Sequence, residues 1–214
     1  ALTKRWAYHA DTGSCSEIKT ANEDCVISPN GQQGIFIRDF NLWLRNLENG
    51  NEHALTHDGE KDYVYGVGVS CLIPIDYTQV QIRWSPDSSR LFAVQRDTRQ
   101  VKTVPVIHHV PQDGSIRPQV VEKTEAYPGD AQIETLRLLA IDINTGQLQE
   151  ANYRPIPVTR SALPFFDSNL GWWSADNQRA YFVDVERDYK TARVVEFNTQ
   201  TGATRILFEE YSNT

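Results

Sequence analysis

Apolar and polar residues alternate in short runs along most of this chain, and the runs are broken at recurring places. The clearest stretch is Arg83-Trp84-Ser85-Pro86-Asp87-Ser88-Ser89-Arg90-Leu91-Phe92-Ala93-Val94. Pro86 presets φ for the second position of a turn, Asp87 and Ser88 can bond their own backbone, and the flanking alternation predicts a strand on either side. The signal appears twice more. Val26-Ile27-Ser28-Pro29-Asn30-Gly31 leads into Gly34-Ile35-Phe36-Ile37, and Trp172-Trp173-Ser174-Ala175-Asp176-Asn177 leads into Ala180-Tyr181-Phe182-Val183.

Downstream of each copy a second strand runs into a glycine turn. The instances are Leu42 to Gly50, Leu138 to Gly146 and Arg193 to Gly202, where Asn or Thr near Gly supplies the positive φ of a hairpin turn. One unit therefore holds four short antiparallel strands, and its repetition predicts an all-β chain made of β-propeller blades. The expected layout is a part-blade over 1–20, a blade over 21–57, a blade over 78–150 with an inserted arm over 104–128, and a blade over 165–210. Such a layout amounts to about three blades and a part. A ring needs at least four, so the chain reads as an excised fragment whose missing blades lie in a longer parent.

Composition narrows the function classes. The 214 residues are 40% hydrophobic, enough to bury a core, and their net charge of -7 leaves no basic stripe for nucleic acid. No apolar run reaches the roughly 18 residues of a membrane span. The 5 Trp, 9 Tyr and 8 Phe fall largely in the strand signals, where aromatics pack well on pleated surfaces. Cys15 and Cys25 flank the first connection with Cys71 left over, so the pair reads either as a disulfide or as two buried thiols.

The order of Asp62-Tyr63-Val64-Tyr65-Gly66, the Arg83 to Ser88 corner, Val104-Pro105-Val106-Ile107, Tyr127-Pro128-Gly129 and the Leu138 to Gly146 hairpin resembles the N-terminal propeller of the dipeptidyl peptidase IV family. The resemblance covers nearly the whole chain. It implies a parent in which an eight-bladed propeller caps an α/β-hydrolase domain of the prolyl-oligopeptidase type, cleaving short units from peptide N-termini. The triad serine would sit in a Gly-x-Ser-x-Gly elbow, and that motif is absent here. Gly171-Trp172-Trp173-Ser174-Ala175 fails the spacing, so no catalytic residue is expected in this chain.

In such enzymes the propeller selects substrate, and paired Glu side chains receive the free amino terminus through charge-assisted hydrogen bonds. The resemblance places the substrate-binding stretch at Asp62, Tyr63, Tyr65, Gly66, Val67 and Gly68, with Val67 and Gly68 where the family has the Glu pair. An amine anchor is then either missing or supplied by Asp62 or Asp76. By position the 104–128 insertion is similar to the arm through which family members dimerise, with Val110, Pro111, Arg117 and Pro118 as interface residues. A periplasmic or extracellular location is implied as well. The alternative is a peptide- or protein-binding periplasmic propeller with no hydrolase attached.

The remaining constellations have plainer readings. His108 and His109 are strand neighbours that point to opposite faces and cannot share an ion. Asp184, Glu186 and Asp188 lack the glycine and bidentate Glu of a calcium loop, so they read as a solvated strand exit. Arg83 and Arg96 read as partners of the repeated corner Asp or as ligands for a substrate carboxylate or carbonyl. No metal or other cofactor is expected.

Overall fold

A computed structural model of the chain describes residues 6–9, 11–17, 25–67, 80–111, 113–158, 165–166 and 169–213. These residues are all strand, turn and coil, as the alternating pattern requires. A hairpin of β1 (Trp6–His9) and β2 (Ser14–Glu17) comes first. The first blade follows as β3 (Val26–Ile27), β4 (Gln33–Arg38), β5 (Asn41–Asn46) and β6 (Glu52–Ala54), each strand paired to the next.

The second blade holds β7 (Tyr63–Tyr65), β8 (Ile82–Trp84), β9 (Arg90–Asp97), β12 (Thr135–Asp142), β13 (Leu148–Glu150) and β14 (Ile156–Pro157). It is still four lanes wide. β7 and β8 lie end to end along one edge of β9, and β13 and β14 lie end to end along the far edge of β12. Between β9 and β12 rises the arm, β10 (Thr103–His108) paired with β11 (Gln119–Thr124). The third blade is β15 (Gly171–Trp173), β16 (Arg179–Val185), β17 (Thr191–Asn198) and β18 (Thr204–Tyr211).

The serine corners are alike in chemistry as well as in sequence. In each, the serine hydroxyl donates to the Asn or Asp two residues on, at 2.7, 2.6 and 2.5 Å for Ser28, Ser85 and Ser174. The same hydroxyl oxygen accepts the amide five residues on, from Gln33, Arg90 and Arg179 at 3.0, 2.9 and 3.1 Å. The fourth corner residue takes positive φ in all three, at 73° for Gly31, 63° for Ser88 and 60° for Asn177. Asp176 is held below the ordinary carboxyl range by the Ser174 hydroxyl and the Gln178 amide.

Blades meet through their alternate faces. Ile35, Leu42 and Leu44 of the first blade pack with Trp84, Leu91, Ala93 and Ile141 of the second. On the other side Phe92, Val94 and Ala140 pack with Phe165, Phe182, Val195 and Phe197. Because successive residues on β9 point opposite ways, Leu91 and Phe92, both fully buried, serve different interfaces. The indole of Trp173 crosses the second interface and donates to the Arg83 carbonyl at 2.9 Å. A buried hydrogen bond of this kind contributes about 1 kcal/mol, so Trp173→Phe, which keeps the ring, should lower the unfolding free energy by about that amount in urea titration.

Candidate functional site

The inner lane of the second blade is one strand interrupted by an insertion. Tyr63 to Tyr65 stand opposite Asp97 to Gln95, the Gly66 amide donates to the Val94 carbonyl at 2.8 Å, and Ile82 resumes opposite Ala93. Val67 bridges to Val80, and the Gln81 amide donates to the Gly66 carbonyl at 2.5 Å, so the two ends of the inserted segment are held together as a neck; residues 68–79 lie outside the described residues. Gly66 has φ +68°, and an added Cβ would meet Leu42 Cδ2 at 2.8 Å, so the neck tolerates no side chain there.

Of the residues to which the sequence assigns substrate binding, Tyr63, Tyr65, Gly66 and Val67 are buried in this lane. Asp62 is half-buried, and its carbonyl accepts the Thr98 amide at 2.8 Å. Gly68 and Asp76 lie outside the described residues. The Tyr65 hydroxyl donates to Asp58 at 2.7 Å, and burial, with that carboxylate beside it, pushes the phenol well above its ordinary pKa. The turn before it is tightly built: Asn41 Oδ1 accepts both the Thr56 hydroxyl and the Gly59 amide, and the Phe40 carbonyl accepts the Tyr65 amide at 3.0 Å.

Charged groups surround the neck. The Arg99 guanidinium lies 3.8 Å from the Tyr63 ring centre and is paired with Asp97. Arg137 is held by Glu150 and donates to Gln95 Oε1, while Arg96 pairs with Glu134 at 2.5 Å. Gln95 Nε2 and Arg96 Nε are buried without a partner among the described residues. Asp39, Asp58 and Glu60 are exposed, and the exposed cations Lys61 and Arg99 lie beside the latter two. The neck thus joins Gly66 and Val67 to Val80 and Gln81 at this edge of the blade.

The arm leaves the sheet just beyond Asp97, which stands opposite Tyr63, and most of its residues are exposed. Val110 is 87% and Ile116 97% exposed at its tip; Arg117 and Pro118 are exposed, whereas Pro111 is buried. Its base is pinned from the third blade. Arg187 donates to the carbonyls of Asp130 and Tyr127 at 2.5 and 3.3 Å, and Asp130 accepts the Tyr127 amide. That amide, followed by nearby Lys102 and Arg187, keeps the Asp130 carboxyl below its usual range.

Three readings from sequence are corrected here. Asp184 is not part of a solvated strand exit: its side chain is fully buried and accepts Tyr153 at 2.9 Å, Arg154 at 2.7 Å and Arg193 at 3.4 Å. Glu186 joins the same two arginines, and its carboxyl is lowered chiefly by Arg193. Burial and the neighbouring Asp184 push the Tyr153 phenol up to about 12. Neither Arg83 nor Arg96 pairs with a corner Asp. Arg83 donates to the Phe166 carbonyl, because the corner aspartates are already consumed by serine and backbone donors.

Cys15 is exposed, and the Cys25 sulfur accepts from Arg45 at 3.3 Å; Cys71 lies outside the described residues. Among the described residues no group of His, Cys, Asp and Glu could hold a metal ion, and the Ser174 hydroxyl is committed to its corner.

Corner, split inner lane and arm thus follow one another in a fixed order on four-lane blades. Residues 3–214 match the family described as the dipeptidyl peptidase IV (DPP IV) N-terminal region. The chain belongs to that family. A Phaeosphaeria nodorum protein assigned as dipeptidyl-aminopeptidase B is 26% identical over 129 residues, 58% of this chain and 14% of that protein. Among solved structures, a Bacteroides ovatus protein assigned as a dipeptidyl aminopeptidase IV matches with a TM-score of 0.64 at 18% identity, covering 97% of this chain and 27% of that one. Porphyromonas gingivalis dipeptidyl peptidase 4 matches with a TM-score of 0.65 at 13% identity, covering 97% and 29%. The two structures share the propeller fold with a chain that spans little more than a quarter of theirs.

Sequence reasoning missed the pins: Arg187 under the arm, and Asp184 with Tyr153 and Arg154 on the connection between blades. The split lane had left a signal, since Tyr63-Val64-Tyr65 ends on a glycine just as an interrupted strand would. Removing the Asp184 carboxylate leaves the Tyr153 hydroxyl without its acceptor and opens a buried site, while Arg154 and Arg193 keep Glu186. Asp184→Ala should therefore cost about 2 kcal/mol of stability, and Asp184→Asn less, as read by urea unfolding.

Proposed function

We propose that this chain is a substrate-selecting part of a dipeptidyl peptidase IV-like serine peptidase, with the bond-breaking chemistry carried on an α/β-hydrolase domain elsewhere in the parent. The observation that carries this reading is the family match over residues 3–214, joined to the split inner lane at Tyr63–Gly66. First strands of propeller blades lie nearest the axis, so an insertion held at that lane is placed to meet a peptide entering the ring. Buried Tyr63, Tyr65 and Val67 then act as positioning residues, and the ligand contacts fall to the carboxylates of Asp58, Glu60 and Asp62.

A carboxylate rim suits the ammonium of a free peptide N-terminus. Isothermal titration with a short peptide, in its free and N-acetylated forms, tests this. The free amine should bind at least about tenfold tighter, with Asp62→Asn narrowing the gap, while equal affinities would reject the reading. The chain itself should release no product from a dipeptidyl chromogenic substrate.

The arm is proposed to contribute to a two-fold contact in the parent, which acts in the periplasm or outside the cell. A lone two-stranded ribbon is marginal in water, and the exposed Val110 and Ile116 gain from a partner surface. Deleting residues 110–123 should halve the mass of the parent in light scattering; an unchanged mass rejects the arm as the contact.

A further inference from the structure

A large side chain at positive φ is uncommon, because its Cβ crowds the backbone there. Among the described residues Phe40 and Tyr189 take that conformation, at 66° and 61°. Tyr189 sits in the turn from Glu186 to Thr191, and its amide donates to the Glu186 carbonyl within that same hairpin. The turn of Phe40 is different. β4 ends at Arg38 opposite Asn41, so Asp39 and Phe40 alone make the connection, and both have positive φ, at 49° and 66°. A two-residue hairpin turn of this kind favours asparagine followed by glycine, and Phe40 stands where the glycine would be.

Bonds from outside the turn hold it in place. The Asn41 side chain donates to the Asp39 carbonyl at 2.8 Å and accepts the Thr56 hydroxyl and the Gly59 amide. The Phe40 carbonyl accepts the Tyr65 amide at 3.0 Å. Gly59 lies so close that an added Cβ would come within 2.3 Å of the same carbonyl oxygen. The strained residue is thereby fastened to both ends of the stretch that holds Asp58, Glu60 and Asp62, since the Tyr65 hydroxyl in turn meets Asp58. Burial does not explain the ring. Phe40 is 37% exposed and joins neither core cluster. Strain that local packing does not offset points to a use outside the chain.

We infer that Phe40 is a specificity-determining residue that receives an apolar first side chain of a short peptide. The inference rests on the reading proposed above, in which the free amine meets the carboxylates of Asp58 and Glu60. The first side chain branches from the carbon that bears the amine, and so comes against the residue packed on Gly59. An aromatic face removes an apolar side chain from water and offers a glycine nothing.

Isothermal titration of the full chain with a leucine-first and a glycine-first tripeptide, otherwise identical, tests this. The unaltered chain should bind the leucine-first peptide about tenfold tighter. Phe40→Gly and Phe40→Asn, both of which readily accept the backbone, should bring the two affinities within about twofold of each other. Their urea midpoints should equal or exceed that of the unaltered chain, and Tyr189→Gly should keep the preference for leucine. Equal affinities in the unaltered chain, a preference retained in both Phe40 variants, or a preference lost in Tyr189→Gly would each overturn the inference. A lower midpoint in both Phe40 variants assigns the ring to packing and overturns it as well. Failure of both peptides to bind rejects the selecting role altogether, whereas dependence on the free amine without a preference for leucine rejects only the part given to Phe40.

Discussion

A four-stranded sheet of two- to eight-residue strands has two faces and too little bulk to cover either, so each blade must bury both against its neighbours. The rest of this structure depends on that constraint. Phe92 on one face and Leu91 on the other are each fully buried, yet they belong to different interfaces, and a slip of one residue in β9 would exchange them. Register is therefore as costly to lose as burial itself.

The serine corner is the device that fixes register. Its hydroxyl both donates to the Asn or Asp and accepts an amide five residues on, which closes a turn of set length between inner strand and second strand. Because the neighbouring blade reaches into the corner for the amide of its third residue, the turn also fixes the spacing of the blades. A single local motif thus serves two levels of structure. The blades differ where the corner does not reach, in the split lane of the second blade and in the arm.

The polar groups follow the same division. Those that hold blades together are buried, as with Asp184, whose Oδ2 gathers Tyr153, Arg154 and Arg193 from the connection and the adjacent strand while its Oδ1 is buried without a partner among the described residues. Unpaired, a carboxylate so deeply buried would be prohibitively costly; with two guanidiniums it becomes a clamp. Others stay at the surface, as with the exposed Asp58 and Glu60.

The four-lane repeat, its three corners and the inserted arm were legible in sequence, because turn chemistry at Ser-Pro-Asp and strand alternation are local and depend only on neighbours along the chain. The membership of Tyr63 to Tyr65 in the second blade, the burial of Asp184 and the pinning of the arm by Arg187 were decided only by tertiary structure. Each involves groups that sequence separates: β7 completes a lane across an insertion, and Asp184 and Arg187 answer to partners some 30 and 57 residues away. Local bonding sets what a blade is; which charges it must neutralise is settled by whatever the next blade and the connection bring against it.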